Sequence, residues 1–268
     1  AALVPWADLK GVVGAAYERR SGYADPYGVA AGFADGARKS GATVRQNCPV
    51  TGVRVEGGKV VGVDTPRGPV DAPVVVNAAG AWVNKVAGLS SDHFPARPIR
   101  EQDTVFEAKG KNGERVNIVV YDAPSKLYYR PEGRDLLLIG RDNIDPEYVD
   151  PDEFNTKEDM DFVLDVIARM TPRWPDFENA RLLRGWGCLY CITEDWMPIM
   201  DRHPETEGYF VCTGMSGHGF KLSPAVGEMM AALIMEGDCP EPAIRDYRLA
   251  RFAENSLMRS EFDRGFQG

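Results

Sequence analysis

The sequence predicts a mixed α/β fold, in which parallel strand–turn–helix units of the α/β type accompany an α+β part with an antiparallel sheet. Two apolar segments, residues 74–77 and 209–212, each run into a turn of small residues and then a helix, as strands of open parallel sheets do. Between them, several short strand patterns follow one another, which is typical of an antiparallel sheet. With 268 residues, of which 44% are hydrophobic, the chain can bury a sizeable core as one large domain or two small ones.

The elements before the first of these segments follow from local patterns. Residues 26–39 place Val29, Phe33 and Ala37 on one face and end before Gly41, which predicts an amphipathic helix with a glycine terminator. Short strands are then predicted at residues 42–46, 51–56 and 60–65, the last two joined by a hairpin turn at Gly57 and Gly58. Residues 74–77 form a continuous apolar run, so we expect a strand buried on both faces.

The middle of the chain reads as a second, inserted unit. A helix is predicted where Phe162, Val166 and Met170 share one face. The strands expected around it are residues 99–107, 116–121, 127–130, 136–140 and 181–192. Acidic runs at residues 150–153 and 158–161 are expected to be solvated charges near helix starts, without a ligand role.

The turn after residues 209–212 is the strongest indication of a site. Gly214, Gly217 and Gly219 allow positive φ and close approach of the backbone to a flat or anionic ligand, and a helix is predicted from about Leu222. Lys221 adds a cation at the same place. The alternative is an ordinary strand-to-helix connection.

Charge and hydropathy exclude other classes of protein. The net charge of −9, with scattered basic residues, argues against a nucleic-acid surface. Neither a membrane-spanning apolar stretch nor a leader pattern is present, so we expect a cytoplasmic protein that contacts no membrane. Cys188 and Cys191 have the spacing of a redox or zinc motif, but residues three apart in a strand face opposite sides, so we expect no metal site.

Three segments together resemble the D-amino acid oxidase (DAO) superfamily of FAD enzymes, most closely the sarcosine oxidase and dimethylglycine dehydrogenase branch. They are residues 74–82 (VVVNAAGAW), 185–195 (GWGCLYCITED) and 214–221 (GMSGHGFK). The resemblance extends from about Gly22 to Gly237. It implies an FAD-binding Rossmann-like domain and a substrate domain with an antiparallel sheet. We assign residues 22–93 and 193–268 to the first domain and residues 1–21 and 94–192 to the second.

One departure from this family is large. Its members begin with a strand and a Gly-x-Gly-x-x-Gly turn that holds the FAD pyrophosphate, and this sequence contains no such motif. We therefore expect a truncated FAD-binding domain, and a chain that by itself need not bind FAD or be active.

The resemblance assigns cofactor-side residues one at a time. Val50 matches the residue whose backbone meets the adenine, and Ala79, Gly80 and Trp82 match the turn near the pyrophosphate and ribityl chain. The residues that match the turn against the pyrimidine end of the flavin are Gly214, Gly217, His218, Gly219, Phe220 and Lys221. Cys188 matches the cysteine that sarcosine oxidase-like enzymes attach covalently to the flavin, whereas dehydrogenase relatives commonly have glycine there.

On the substrate side, the resemblance assigns catalytic candidates. Lys221 matches the cation that holds the substrate carboxylate, and Tyr190 stands where free amino-acid oxidases have an arginine, which favours an N-alkylated amino acid. Tyr128 resembles the aromatic residue that covers the substrate side of the flavin, and His218 is a candidate for tuning the charge of the amine or flavin. Leu138 stands at about the position where sarcosine oxidase-like members have a lysine that assists oxygen reduction. We therefore expect electrons to pass from the flavin to a carrier and not to oxygen.

The implied reaction is hydride transfer from the α-carbon or N-methyl carbon of an amine to the flavin, giving an imine that water hydrolyses. No general base is assigned, because such a step needs a neutral, well-oriented amine more than a base. Two alternatives stay open. One is a folded, flavin-free chain that acts by forming a homodimer or by pairing with a complementing chain; the other is a flavoenzyme for a hydroxy acid or polyol phosphate.

Overall fold

A computed structural model describes residues 2–142 and 145–258 of the protein. It confirms the predicted mixed α/β class, with three sheets and four α-helices within this part of the chain. The helices are α1 (Pro26–Lys39), α2 (Val83–Ala87), α3 (Met160–Met170) and α4 (Gly219–Glu236). The strands are β1 (Gly52–Glu56), β2 (Lys59–Asp64), β3 (Val70–Asp71), β4 (Val75–Asn77), β5 (Ala96–Glu107), β6 (Val120–Asp122), β7 (Leu127–Pro131), β8 (Leu136–Arg141), β9 (Glu147–Tyr148), β10 (Arg181–Thr193), β11 (Ile199–Arg202) and β12 (Tyr209–Thr213).

Two of the three sheets have three strands each. Strands β1, β2 and β3 form an antiparallel sheet, and Gly57 and Gly58 both have positive φ in the β1–β2 hairpin turn, as predicted. Strands β11, β12 and β4 form the other sheet, in which β12 runs parallel to β4 with Tyr209 opposite Val75. This parallel pairing places the turns that follow β4 and β12 side by side.

The largest sheet is antiparallel and has the strand order β10–β5–β8–β7–β6, with β9 paired to β5. One of its faces packs against α3 and the short helix Pro175–Asn179. Phe106, Tyr129 and Ile139 from this face are at most 1% exposed. Because side chains alternate along each strand, residues next to these in sequence lie on the opposite face of the sheet.

Helix α1 matches its predicted bounds. The Asp25 side chain accepts hydrogen bonds from the backbone N–H groups of Tyr27 and Gly28, which caps the helix, and Gly41 follows with positive φ. No residue of α1 is buried, and Phe33 is 52% exposed. The apolar face that predicted this helix is therefore uncovered by the described residues.

Helix α4 begins three residues earlier than the predicted start at Leu222. Pro224 has no backbone N–H to donate to the carbonyl of Phe220. Because proline is common in the first turn of a helix, the sequence favours a helix that starts just before Pro224. In the structure, the Ser223 hydroxyl donates to that carbonyl at 2.9 Å instead. The helix can therefore extend through Pro224 toward the glycine turn.

Three other predictions about the strands need correction. Residues 42–46 form no strand, because they run along the surface without pairing to a described strand. The strand predicted at residues 116–121 begins only at Val120. Strand β4 is not buried on both faces, since Val76 is 40% exposed on an edge strand with nothing described outside it.

The division into two domains stays a prediction. Residues 1, 143–144 and 259–268 of the assigned ranges lie outside the described residues. Separate clusters of buried side chains do underlie the large sheet, the β4–β12 region and the inner face of α4. Within the described residues, no helix combines the length and apolarity that crossing a lipid bilayer requires.

A buried ion pair ties the region after α4 to the loop that follows β10. The guanidinium of Arg251 donates to both carboxylate oxygens of Asp195, at 2.7 and 3.0 Å, and both side chains are 1% exposed. Arg251 also donates to the carbonyl of Met197 at 2.8 Å. Burial alone would raise the pKa of Asp195, but the hydrogen bonds from Arg251 hold that pKa below its usual range.

Replacing Arg251 by leucine is expected to lower the free energy of unfolding by about 3–5 kcal/mol, because Asp195 would be left as an uncompensated buried charge. Urea unfolding followed by tryptophan fluorescence measures this change. The matched control is Arg181→Leu, which removes an exposed pair with Glu107 and should cost at most about 1 kcal/mol. Equal effects of the two substitutions would show that the buried pair contributes no more than a surface pair.

Candidate active site

The candidate site forms where the glycine turn after β12 packs against β10. Gly217 has a φ of +83°, and a Cβ at this position would lie 2.8 Å from a ring carbon of Tyr190. Gly214 has a φ of +64°, and its Cβ would lie 2.5 Å from the Thr193 methyl carbon. Both positions therefore require glycine twice over, for backbone conformation and for space. The glycines predicted to approach a ligand also let the turn approach β10.

Ser216 holds this turn in place, a role that the sequence analysis did not predict. Its backbone N–H donates to the carbonyl of Cys191 at 3.0 Å, and its hydroxyl donates to the carbonyl of Gly214 at 2.9 Å. The residue is 1% exposed and has a φ of +48°, which is uncommon for a residue other than glycine. A serine between two glycines is the only local signal that could have pointed to it.

The start of α4 faces out from this turn without a side-chain cap. The first backbone N–H groups of a helix have no partner within the helix, so they are available to an acceptor beyond it. Burial and the nearby charge of Lys221 lower the pKa of His218, and burial lowers the pKa of Lys221. His218 is therefore neutral at physiological pH, while Lys221 supplies the positive charge.

A cavity of about 540 Å³ opens beside this helix start. Lys221 and Phe220 line it from α4, and Arg130 lines it from β7. The remaining wall comes from the segment before α1, where Tyr23 lies with its ring 4.9 Å from the Arg130 guanidinium carbon. The cavity therefore lies between the N-terminus of α4 with its Lys221 and the Arg130 guanidinium, which is itself paired with Glu132.

Tyr128 lies on the face of the large sheet opposite the α3 core, while Tyr129 lies in that core and is 1% exposed. Alternation along β7 thus turns one tyrosine to each face of the sheet. The Tyr128 ring crosses the neighbouring strand β8 at Gly140, where a Cβ would overlap the ring. Gly140 was not identified from the sequence, because only the strand register places it beneath Tyr128.

Crossing β8 brings the Tyr128 hydroxyl to Asp103 on β5, where it donates to the carboxylate at 3.1 Å. Tyr190 on β10 lies on the same face of the sheet as Asp103. Burial raises the pKa of Asp103 to about 6 and raises the pKa of both tyrosines, so the phenols are neutral at physiological pH. Sequence reasoning missed Asp103, although an aspartate inside a long strand pattern was a signal.

Cys188 lies on the same face of the sheet, opposite Glu101 on β5. Burial raises the pKa of its thiol to about 12, and the negative charges of Asp103 and Glu101 act in the same direction. The thiolate, and not the thiol, is the nucleophilic form of cysteine. Cys188 therefore lies on the same face of the sheet as Asp103, and its thiol is protonated at physiological pH. Cys191 points to the other face and is 9% exposed.

The residues assigned to the adenine, pyrophosphate and ribityl chain lie apart along the sequence. Val50 precedes β1 and is 37% exposed. Gly80 has a φ of +54°, and a Cβ added at this position would have no atom within 4 Å, so open space adjoins this turn. Thr213 donates from its hydroxyl to the carbonyl of Gly80 at 3.4 Å, and Ala79 donates from its backbone N–H to the Asn77 side chain at 3.3 Å.

Trp82 reaches the acidic run that was expected to be merely solvated. Its indole N–H donates to Asp152 at 2.7 Å, and Lys85 pairs with Asp150 at 2.8 Å and also with Asp152. These carboxylates are about half exposed, yet they anchor the turn after β4 to the loop after β9. Their role is thus structural, which the sequence pattern did not predict.

These features fit part of an FAD site. The uncapped start of α4, with the cation of Lys221, provides donors for the electron-rich pyrimidine end of a flavin. The positive-φ turn at Gly80 leaves room for a backbone-bound group. The pyrophosphate donors of a Gly-x-Gly-x-x-Gly turn are not part of this sequence.

Comparison with known proteins agrees with this geometry. The family model described as DAO, FAD dependent oxidoreductase, matches residues 1–233. Sarcosine oxidase subunit beta of Rhodobacter capsulatus is 30% identical over 96% of this chain and 60% of its own length. Human mitochondrial sarcosine dehydrogenase is 29% identical over 93% of this chain and 28% of its own length.

A solved structure, L-proline dehydrogenase from P. horikoshii, superposes with a TM-score of 0.86 at 28% identity, covering 96% of this chain and 67% of that one. The chain spans about 60% of the length of the bacterial sarcosine oxidase subunit that it matches. Because the family model covers most of the chain and the fold agrees, the protein belongs to the DAO family of FAD-dependent oxidoreductases.

Proposed function

We propose that this chain carries the substrate side and the flavin-pyrimidine side of an enzyme that oxidises the C–N bond of a secondary or tertiary amino acid. The observation that carries the proposal is the contact of the glycine turn at Gly217 with the Tyr190 ring, which brings the uncapped start of α4, with Lys221 in its first turn, against β10. The similarity to sarcosine oxidase, sarcosine dehydrogenase and L-proline dehydrogenase supports it, because sarcosine and proline are both secondary amines.

FAD, when bound, supplies the acceptor for the hydride that leaves the substrate carbon. The residues of this chain bind and orient the substrate. Lys221 attracts the carboxylate as a point charge, and the neutral phenols of Tyr190 and Tyr128 offer hydrogen bonds without adding charge. His218, kept neutral beside Lys221, does not repel a cationic substrate.

We further propose that the flavin is held without a covalent bond to Cys188, and that its electrons pass to a carrier protein or molecule. The half-buried, protonated thiol of Cys188 lacks the nucleophilic form that attachment needs. Leu138 lies on the same face of the sheet as Asp103 and is 7% exposed, so an aliphatic side chain stands at the position matched to the oxygen-assisting lysine.

A complementing polypeptide is a second proposal, favoured by one specific observation. The amphipathic helix α1 buries none of its residues, and the edge strand β4 leaves Val76 exposed. Apolar faces and open strand edges of this kind are normally covered in a stable protein. We propose that another segment or chain covers this region and completes the FAD site.

The absorbance of the purified chain between about 300 and 550 nm, before and after acid precipitation, tests the cofactor proposal. We expect any yellow colour to stay in the supernatant, because a protonated Cys188 does not link to the flavin. Cys188→Ser should bind the same amount of flavin, with Cys239→Ser, beyond the C-terminal end of α4, as the matched control. Colour in the pellet of the parent chain, lost in Cys188→Ser, would overturn the non-covalent proposal.

Replacing Lys221 by methionine is expected to weaken sarcosine binding by about 10- to 100-fold, because a hydrogen bond to a charged group contributes about 1.5–3 kcal/mol. The measurement is calorimetric titration of sarcosine into the flavin-loaded protein. Lys39→Met, at the exposed end of α1, removes the same charge elsewhere and should leave binding unchanged. Equal binding by both variants would remove Lys221 from the proposed carboxylate site.

A further inference from the structure

A long segment without helix or strand, residues 9–24, borders the cavity at the start of α4. Every residue in it is exposed, and the only backbone–backbone hydrogen bond that it makes in the described structure joins Val12 to Leu9. Gly11 has a φ of +78°, and a Cβ added there would have no atom within 4 Å. Loops of more than about 12–15 residues are uncommon in compact domains, and those that are ordered are usually functional, as active-site lids are.

Both ends of this segment are held by ordered structure. Before it, Trp6 is 6% exposed and packs against Trp174, with 5.5 Å between the ring centroids. The backbone N–H of Asp8 donates to the carbonyl of Arg173 at 2.7 Å. After the segment, the Asp25 side chain caps α1. The middle of the segment can therefore move without disturbing the buried core.

One contact holds the segment against the large sheet. The Tyr23 ring lies 4.9 Å from the guanidinium carbon of Arg130. Among the described residues, no other side chain of the segment has a hydrogen bond, ion pair or ring contact with another element. Glu132 accepts a hydrogen bond from a terminal nitrogen of Arg130. A guanidinium can bind a carboxylate at its edge and an aromatic ring on its face, so Glu132 orients Arg130 for this stacking.

The end of the segment forms part of the cavity wall. Gly22, Tyr23 and Ala24 line the cavity together with Phe220 and Lys221 from the start of α4. If the segment moves away from the sheet, this part of the wall moves with it, because the two are continuous in the chain. Access to the start of α4 is therefore coupled to the position of the segment.

We propose that residues 9–24 form a lid over this cavity, held closed by the stacking of Tyr23 on Arg130, and that its opening admits the ligand that Lys221 binds. The inference rests on the proposed function for the identity of that ligand, and it concerns access to the same site. Lids of this kind separate a bound substrate from water, and their opening can limit the release of product.

The first test measures trypsin cleavage after Arg19 and Arg20, which lie inside the lid. When opening and closing are fast compared with cleavage, the cleavage rate follows the population of the open form. Tyr23→Ala should accelerate cleavage about two- to fivefold, the change in population that corresponds to an exposed cation–π contact. Tyr23→Phe keeps the ring and should be cleaved like the parent chain.

Tyr17→Ala is the matched control, because Tyr17 lies in the same segment and is 53% exposed, against 54% for Tyr23, but has no ring contact with a cation in the described structure. Peptides of residues 9–28 with the same substitutions measure the direct effect of each change on trypsin. Arg130→Leu should accelerate cleavage as much as Tyr23→Ala, and the double variant no further. Equal cleavage of Tyr17→Ala and Tyr23→Ala, after correction by the peptides, would show that Tyr23 does not hold a lid closed.

The second test adds sarcosine to the flavin-loaded protein at about ten times its dissociation constant. A ligand that binds only beneath the closed lid should slow cleavage after Arg19 and Arg20 about tenfold. Cleavage after Lys111, which is exposed between β5 and β6, should stay unchanged. Sarcosine that binds by calorimetry without slowing cleavage of the lid would overturn the inference. A chain that binds no sarcosine would contradict the proposed function instead, and the comparison of Tyr23 with Tyr17 would still decide whether the lid exists.

Discussion

The close fit of the glycine turn against β10 is the constraint on which the candidate site depends. Side chains of β10 occupy the space that Cβ atoms at Gly214 and Gly217 would need, so the turn can lie directly on the strand. Ser216 holds it there through hydrogen bonds to the backbone on both sides. The start of α4 is thereby fixed beside Tyr190, and a helix N-terminus meets a sheet face that carries neutral hydroxyls.

The same contact connects the two kinds of sheet. Strand β12 pairs in parallel with β4, while β10 belongs to the large antiparallel sheet. The turn after β12 contacts β10 through a hydrogen bond from the Ser216 N–H to the Cys191 carbonyl. The positive charge of Lys221 therefore comes from the unit with the parallel strands, and the Tyr190 side chain comes from the antiparallel sheet. The ion pair of Asp195 and Arg251 holds the exit from β10 in place, because a buried bidentate pair tolerates little displacement.

Burial gives the site its chemical character. The sheet face beneath the turn keeps tyrosine and cysteine protonated and raises the pKa of Asp103 to about 6. This face therefore combines neutral phenols and a protonated thiol with the carboxylates of Asp103 and Glu101.

Local sequence patterns by themselves determined α1, the Gly57–Gly58 hairpin, most strands and the glycine turn, because periodicity and glycine placement act over a few residues. The motifs also indicated the family. Only the tertiary structure decided that Tyr128 crosses Gly140 to reach Asp103, that Ser216 fixes the turn, and that Val76 stays exposed. These features depend on the register and order of strands far apart in sequence, and non-local pairing leaves no local pattern to recognise.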